Sequence, residues 1–460
     1  MDYAEREIIE FAREHAGEDT AQLLLAAGRY PGIDMKAAVQ QIEGLRTARE
    51  KWPSLPECAD YMYPPRLNRE QASSEATASY KSRIISSRSP GGLTKSIDPE
   101  IGFIDYAVGG EISLPFATLT KSMDPEIGFI DYAVGGGKTS PVRCAHEIHR
   151  SNGMTLKAGL RVADLTGGMG IDTLAFAKVA EHVDYVERDP QLCALMEHNL
   201  RALGVTNVTV HCADSLDWLS ATPSPLSAIY LDPARRDSAG RKVAGFEDST
   251  PNILGHLPLL LSRCGTLIVK ASPMIDLDLA CRQLGSVADV HVVELKGECK
   301  EALFVCRHDA AEPTIHCVTV GSEPFSFTRV AEAAAPVSLA AEVGHWLYEP
   351  SAAVMKGGPY RLLAQRHSLA MLDVSTHLYT ADRLVEGFPG RVFRVLQEVK
   401  ATRKAVAEVV PEGKAHVVTR NYPVAAAELQ RRLGLKEGGE LFLVAATHAG
   451  RPRCWLCSLA

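Results

Sequence analysis

The sequence predicts an α/β protein: a Rossmann-like, mostly parallel sheet whose last strand runs antiparallel, preceded by a helical region and followed by small α+β domains. Three observations carry this expectation. From about residue 155 to 308, short β-prone runs alternate with helical stretches, the pattern of successive βαβ units. At the first strand-to-helix junction stands Asp164-Leu165-Thr166-Gly167-Gly168-Met169-Gly170-Ile171-Asp172, a glycine turn of the kind that lets backbone approach a ligand closely. The last two β-prone runs are separated by a short turn containing Gly297, so they form an antiparallel hairpin rather than another crossover.

Taken in order, residues 4–50 read as two amphipathic helices. Ile8, Ile9 and Phe11 begin one stripe; Ala38, Val39, Ile42 and Leu45 make the other. A Pro-rich connector from Trp52-Pro53 to Pro64-Pro65 leads into Gln71–Lys81, which reads as a capped helix. This helical region is expected to span residues 1–85. Residues 86–150 read as an inserted loop. Within it Leu93–Gly110 recurs as Leu119–Gly136 with one difference, Ile97 against Met123. Two copies are too few for a solenoid, and a tandem duplication lodged in a loop is the expectation. The sheet domain is assigned to 151–310. Its strands are expected at Arg161–Leu165, His182–Glu187, Val208–Cys212, Ala228–Asp232, Gly265–Ala271, Asp289–Leu295 and Ala302–Cys306. Residues 311–385 and 386–460 mix short β-prone runs with helices such as Ala425–Leu433, and read as two small α+β domains.

Composition narrows the class. Across 460 residues, 46% hydrophobic and 23% charged content is ordinary for a globular protein in water. The start, Met1 to Glu7, is too charged for a secretory signal, and the apolar run Leu257–Leu261 is far too short to span a bilayer. The expectation is a cytoplasmic protein with no membrane partner. Of eleven cysteines, only Cys454 and Cys457 have C-x-x-C spacing. No second pair lies near enough for a zinc site, so no metal is expected and the thiols read as reduced and packed. The net charge of −7 is unevenly spread: His345–Ala460 carries 16 Lys and Arg against 10 Asp and Glu, the remainder 33 against 46. A basic tail on an acidic body fits either a polyanionic partner or a solvated basic face.

Four acids fall at the ends of successive expected strands: Asp164, Glu187, Asp214 and Asp232. In an open parallel sheet these ends face one crevice. Asp164 is expected to brace the glycine turn and meet an amino-acid ammonium. Glu187 is expected to accept two ribose hydroxyls, and Asp214 an exocyclic adenine amine. Together they suit S-adenosylmethionine, a nucleoside with a cationic amino-acid tail. A dinucleotide prefers a third glycine where Thr173 stands, and its pyrophosphate would be repelled by so many carboxylates. The cofactor contacts expected are therefore Asp164, Thr166, Gly167, Gly168, Gly170, Asp172, Glu187, Asp214 and Asp232.

The second chemical feature is Asp232-Pro233-Ala234-Arg235-Arg236-Asp237. Enzymes that methylate exocyclic base amines carry Asp or Asn before Pro-Pro and an aromatic here, and the ring stacks on the flipped base. In this chain Arg235 takes the aromatic's place. Methylation of uracil carbon 5 needs a cysteine nucleophile after the fifth strand, and Lys270-Ala271-Ser272-Pro273-Met274 has none. A base nitrogen is thus expected ahead of a pyrimidine carbon, with Asp232, Pro233 and Arg235 as catalytic candidates and Lys270 and Ser272 as weaker ones. Arg235, Arg236, Arg241 and Lys242 either meet phosphate or pair internally with Asp237, Glu247 or Asp248.

The chain resembles the bacterial class I S-adenosylmethionine-dependent methyltransferases that carry a ferredoxin-like and a THUMP-like domain at the C-terminus. The resemblance rests on Gln71–Thr77 with Tyr80-Lys81, Asp164–Asp172, Asp232–Asp237 with Gly245–Asp248, Tyr348–Lys356, Thr376–Thr380, Phe388–Arg391 and Thr419–Pro423. It implies an RNA substrate, transfer or ribosomal. The residues expected to contact RNA are Arg235, Arg236, Tyr348, Lys356, Arg391, Arg420 and Tyr422. Two other readings stay open: a non-catalytic RNA-binding adaptor that keeps the fold, and a methyltransferase acting on a small molecule or a protein.

Overall fold

A computed structural model describes residues 3–87, 157–223, 225–234, 246 and 249–460. The duplicated segment and the basic corner Arg235, Arg236, Arg241 and Lys242 lie outside the described residues. All the described residues belong to one compact unit.

The helical region comprises α1 (Tyr3–Glu14), α2 (Thr20–Leu25), α3 (Met35–Lys51), α4 (Arg66–Gln71) and α5 (Glu75–Ser87). Two helices were expected over residues 4–50, and the short α2 is an addition between them. Asp19 makes it possible, its carboxylate accepting from the Ala21 and Gln22 amides that a helix start leaves unpaired. Asp34 does the same for α3. Ser74 caps α5 through the Thr77 amide.

The first sheet contains all seven expected strands: β1 (Lys157–Asp164), β2 (Ala180–Glu187), β3 (Val208–Cys212), β4 (Leu226–Leu231), β5 (Cys264–Ala271), β6 (Val287–Leu295) and β7 (Glu298–Cys306). Between them run α6 (Ile171–Ala177), α7 (Pro190–Leu203), α8 (Ser215–Ala221), α9 (Ile253–Ser262) and α10 (Leu277–Leu284). The strand order is β3-β2-β1-β4-β5-β7-β6, continued by β8 (Thr314–Thr319) and β9 (Phe325–Thr328). Strands β1 to β5 pair in parallel, and β7 inserts antiparallel between β5 and β6. The β6–β7 turn places Lys296 at φ 54° and Gly297 at φ 79°, the two left-handed residues that a tight hairpin of native twist requires. Because β8 pairs parallel to β6, the sheet runs past residue 310 to Thr328. The central strands are buried on both faces, with Val162, Val183, Ile229, Ile268, Val269 and Phe304 fully enclosed. That double covering is why they read as continuous apolar runs.

After α11 (Arg329–Ala334) comes a second sheet. Its strands are β10 (Trp346–Pro350), β11 (Ala370–Met371), β12 (Tyr379–Ala381), β13 (Gly390–Glu398), β14 (His416–Arg420), β15 (Leu441–His448) and β16 (Arg451–Leu459). They are ordered β11-β12-β10-β13-β16-β15-β14, with helices α12 (Ala352–Gly357), α13 (Tyr360–Arg366), α14 (Arg403–Val409) and α15 (Ala426–Leu433). The two C-terminal modules therefore share one sheet, joined where β10 pairs with β13. Cys454 and Cys457 both lie on β16. Three positions apart on a strand means opposite faces, and the two thiols sit in different core clusters. Burial pushes each up to about 12, so both are inert packing groups. Among the described residues no helix is long and apolar enough to cross a membrane.

Phe304 is enclosed at the centre of the first sheet. Phe304→Ala is expected to cost about 3–5 kcal/mol, read by urea denaturation. A loss below about 1 kcal/mol would contradict the placement of β7 between β5 and β6.

Candidate active site

The parallel registers bring the ends of β1, β2, β4 and β5 to one edge, with β1 and β4 flanking the point where strand order reverses. That is where an open α/β sheet binds its ligand. The glycine turn leaves β1 here. Its amide at Gly167 donates to the Val186 carbonyl at 3.1 Å, and Gly170 closes back onto Gly167 at 2.8 Å. Gly167 can be nothing larger: a Cβ there would lie 2.2 Å from the Tyr185 ring. Gly170, at φ 80°, has Met196 sulfur 2.5 Å from the same imaginary atom. Gly168, at φ 52°, meets only the Thr166 carbonyl, 3.7 Å away, so its outer face is open. The turn is thus pressed onto β2 and α7 from below and clear above. A cradle of this kind fits S-adenosylmethionine.

The carboxylates line up around it. Asp164 is 1% exposed. It accepts from the Thr166 amide at 3.2 Å and the Thr173 hydroxyl at 2.6 Å, bracing the turn. Burial pushes its carboxyl up to about 7; those two hydrogen bonds pull it down, and the Asp172 and Asp232 charges push it further up. Glu187, half-buried at the tip of β2, accepts from the amides of Gly168, Arg188 and Asp189. Asp214 is exposed and caps α8 through one oxygen. Thr166 hydroxyl accepts from the Asp232 amide at 2.7 Å, tying the β1 turn to the end of β4. Pro233 is buried beside it.

Beneath Asp232 the structure assembles a buried ionic network. Lys270 donates to Asp232 Oδ2 at 2.5 Å and reaches the Ser73 hydroxyl at 3.4 Å. Lys81, fully enclosed, lies 3.0 Å from both Asp172 and Glu301 and donates to Ser73 at 2.7 Å. Asp172 also receives the hydroxyls of Ser73 and Tyr230. Burial works against charge on Asp172, but Lys81 and Lys270 outweigh it and hold the carboxyl below its usual range. Lys270 likewise pays for its burial through Asp232, Glu301 and Asp172, which hold it above the ordinary lysine range. Asp172 was expected to touch the cofactor; its oxygens are instead committed to this network. Ser73, Lys81 and Glu301 were not anticipated as site residues. The only signal for the first two was their place in the Gln71–Lys81 segment.

Several expected RNA contacts are placed differently. Tyr348 corrects an expectation: it is fully buried on β10, its hydroxyl donating to the Arg383 carbonyl and accepting from the Val385 amide. A strand alternates its faces, and this position faces the core. Lys356 donates to the Ile275 carbonyl at 2.5 Å, in the loop that follows β5. Tyr422 is half-buried against the core of the second sheet. Arg391 and Arg420 both pair with buried Glu349, at 2.5 and 2.7 Å, while their side chains stay 51% and 36% exposed. Arg235 and Arg236 lie outside the described residues.

Comparison with known proteins agrees with this geometry. Residues 346–389 match a ferredoxin-like domain family, 390–459 a THUMP domain-like family, and 137–237 the protein-L-isoaspartate(D-aspartate) O-methyltransferase family. An uncharacterised S-adenosylmethionine-dependent methyltransferase of Mycobacterium tuberculosis is 28% identical over 291 residues, covering 62% of this chain and 77% of its own. A ribosomal RNA small subunit methyltransferase J of Marinobacter nauticus is 30% identical over 118 residues, 21% of this chain and 42% of its own. A methyltransferase crystal structure from Porphyromonas gingivalis W83 superposes on 100% of this chain and 99% of its own, with TM-score 0.75 and 26% identity. The fold and crevice are those of a class I methyltransferase. The chain is an S-adenosylmethionine-dependent methyltransferase whose C-terminal residues match ferredoxin-like and THUMP domain-like families.

Two outcomes follow from this geometry. Gly167→Ala drives a methyl into the Tyr185 ring and is expected to weaken S-adenosylmethionine binding by at least about tenfold, roughly 1.4 kcal/mol, in calorimetry. Unchanged affinity would separate the turn from the cofactor. For Asp164, the folded carboxyl at about 7 lies above its unfolded value of 3.8. Between those values the folded state holds a proton that the unfolded chain has lost, so this group's contribution to stability falls as pH rises from about 4 to 7. Affinity for the cationic cofactor is expected to rise over pH 6 to 8 as Asp164 ionises. Asp164→Asn should flatten both slopes; a variant that keeps the wild-type slopes would rule this carboxyl out.

Proposed function

We propose that this methyltransferase acts on RNA held between its crevice and its C-terminal module. The observation that carries the reading is the docking of that module on the crevice side of the first sheet. The Ala353 amide at the start of α12 donates to Glu294 near the end of β6, at 2.9 Å. Lys356 reaches the loop after β5. The ferredoxin-like part of the basic C-terminal module therefore adjoins these strand ends, and the THUMP-like part continues the same sheet. The similarity to ribosomal RNA methyltransferases supports the same reading. The isoaspartate methyltransferase match covers only residues 137–237, the cofactor half, and so speaks less to the acceptor.

In this reading the Thr166–Gly170 turn and Asp164 hold the methionine part of the cofactor, Glu187 its ribose and Asp214 its adenine amine. S-adenosylmethionine supplies a methyl group on a sulfonium, ready for in-line attack. Asp232 and Pro233 stand at the transfer point and orient the acceptor, which is where most of the rate is gained. Arg391 and Arg420 meet backbone phosphate with the guanidinium edges that Glu349 leaves free, while Arg235 and Arg236 remain candidates by sequence alone. β5 is followed by no cysteine, so the acceptor is a heteroatom rather than a pyrimidine carbon. An RNA substrate places the enzyme in the cytoplasm.

The test uses S-adenosylmethionine labelled in its methyl group and total RNA from a strain lacking the gene. Label is expected in RNA, falling at least about 100-fold in Asp232→Ala while calorimetric cofactor binding persists. Label confined to protein or small molecules would defeat the RNA reading.

A further inference from the structure

We propose that the acceptor is a hydroxyl oxygen of the RNA ribose, activated by Asp232 with Lys81, Lys270 and Glu301 behind it. This rests on the RNA reading above and names the atom methylated. It replaces the base nitrogen expected from sequence.

Asp232 has a side chain 23% exposed, against 6% for Lys270, 3% for Glu301 and none for Lys81. Lys270 occupies Oδ2, and among the described residues Oδ1 has no hydrogen-bond partner. Two ammonium groups face three carboxylates, Asp172, Asp232 and Glu301. One carboxylate is in excess, and Asp232 is the one that a substrate reaches. The protein thus presents a single carboxylate oxygen with the Lys270 ammonium directly behind it. Asp164, across the turn, is the further acid facing this group.

The sign of the charge then discriminates between acceptors. A nitrogen that attacks a sulfonium methyl gains positive charge as the bond forms, and an ammonium beside it opposes that change. A hydroxyl must lose its proton, and the negative charge that gathers on its oxygen is what a preorganised ammonium stabilises. Orienting an amine needs only a hydrogen-bond acceptor. It gives no reason to bury two lysines and two further carboxylates, each of which costs several kcal/mol in lost hydration before pairing. The sequence adds an independent observation. Asp232 to Arg236 contain no aromatic residue, so this segment offers a flipped base no ring of its own to stack on. A ribose needs none.

The step balances. The O–H bond breaks, its electron pair stays on oxygen, and the proton passes to Asp232 Oδ1. The oxygen–carbon bond forms as the sulfur–carbon bond breaks, its electron pair remaining on sulfur, which becomes neutral. Asp232 then releases its proton through its exposed side. Lys270, Lys81, Glu301 and Ser73 are positioning residues in this scheme, since they act through Asp232.

Alkaline hydrolysis of RNA labelled by the wild-type enzyme tests the assignment. A methylated 2′-oxygen cannot attack the neighbouring phosphate, so label is expected in alkali-resistant dinucleotides. Label in mononucleotides, released as methylated base, would overturn the ribose assignment and leave the RNA reading standing. Wild-type enzyme that labels no RNA would overturn both. Lys270→Met is expected to lower kcat by at least about 100-fold, with S-adenosylmethionine affinity in calorimetry unchanged and Lys270→Arg restoring part of the rate. A parallel loss of affinity and of denaturation midpoint, with no recovery in Lys270→Arg, would mark Lys270 as merely structural. Ser73→Ala, which removes one hydroxyl from the same network, gives the kcat comparison should Lys270→Met fail to fold.

Discussion

Burying Lys81 constrains more of this molecule than any other single event. A lysine with no exposed surface must find compensation or lose its charge. Here it finds Asp172 from the first turn of α6 and Glu301 from β7, with Ser73 bridging to Lys270 on β5. Each partner belongs to a different element. The network therefore fixes how α5 sits on the sheet, where the cofactor turn ends, and how β5 meets β7. Trp52 locks the same point from the other side, its indole donating to the Ser73 carbonyl at 2.6 Å. Structure and chemistry are not separable at this place: the ion pairs that hold the N-terminal helix to the sheet also set the charge behind Asp232.

The cofactor turn depends on the opposite kind of constraint, the exclusion of atoms. Gly167 and Gly170 are occupied from one side by Tyr185 and Met196, so the turn cannot sink further. The Tyr185 hydroxyl donates to the Gly168 carbonyl at 2.8 Å and orients that peptide. Glu187 takes the Gly168 amide. A loop of small residues would otherwise lose much conformational freedom on folding. These contacts from β2 and α7 hold it in shape before any ligand arrives, and such preorganisation lowers the cost of binding.

The sheet domain was legible because its strands carry their own signal. Doubly buried strands are continuous apolar runs with glycines and acids at their ends, and all seven were located that way. The hairpin that interrupts the parallel order announced itself through the short turn containing Gly297. What sequence could not supply was partnership. The β-prone runs after residue 310 were read as part of a separate domain, because nothing in the residues of β8 and β9 says that they extend the first sheet. Lys81 and Glu301 are 220 positions apart, and each alone looks like a surface charge. Tyr348 looked like a stacking ring because an aromatic on a short strand carries no mark of which face it occupies. Asp164, Glu187 and Asp232 were identifiable because strand ends converge by topology, whereas the charges behind them converge only through tertiary packing.

The same network accounts for how the site tolerates a long excursion of chain between α5 and β1. The two ends of that excursion are held together: Lys157, the first residue of β1, donates to the Ser86 carbonyl at 2.8 Å. Once both ends are fixed, lengthening the connection costs little, since loop-closure entropy grows only as the logarithm of length, about 0.6 kcal/mol for each doubling. The duplicated segment lies within it, so a 26-residue period adds a fraction of that. The charged contacts of Lys81 are made on the near side of the excursion and those of Asp172 and Glu301 on the far side. The ion pairs, and not the covalent connection, therefore carry the register between the N-terminal helix and the catalytic sheet. The helix is specified by its contacts, and a fully buried lysine is a contact that accepts few alternatives.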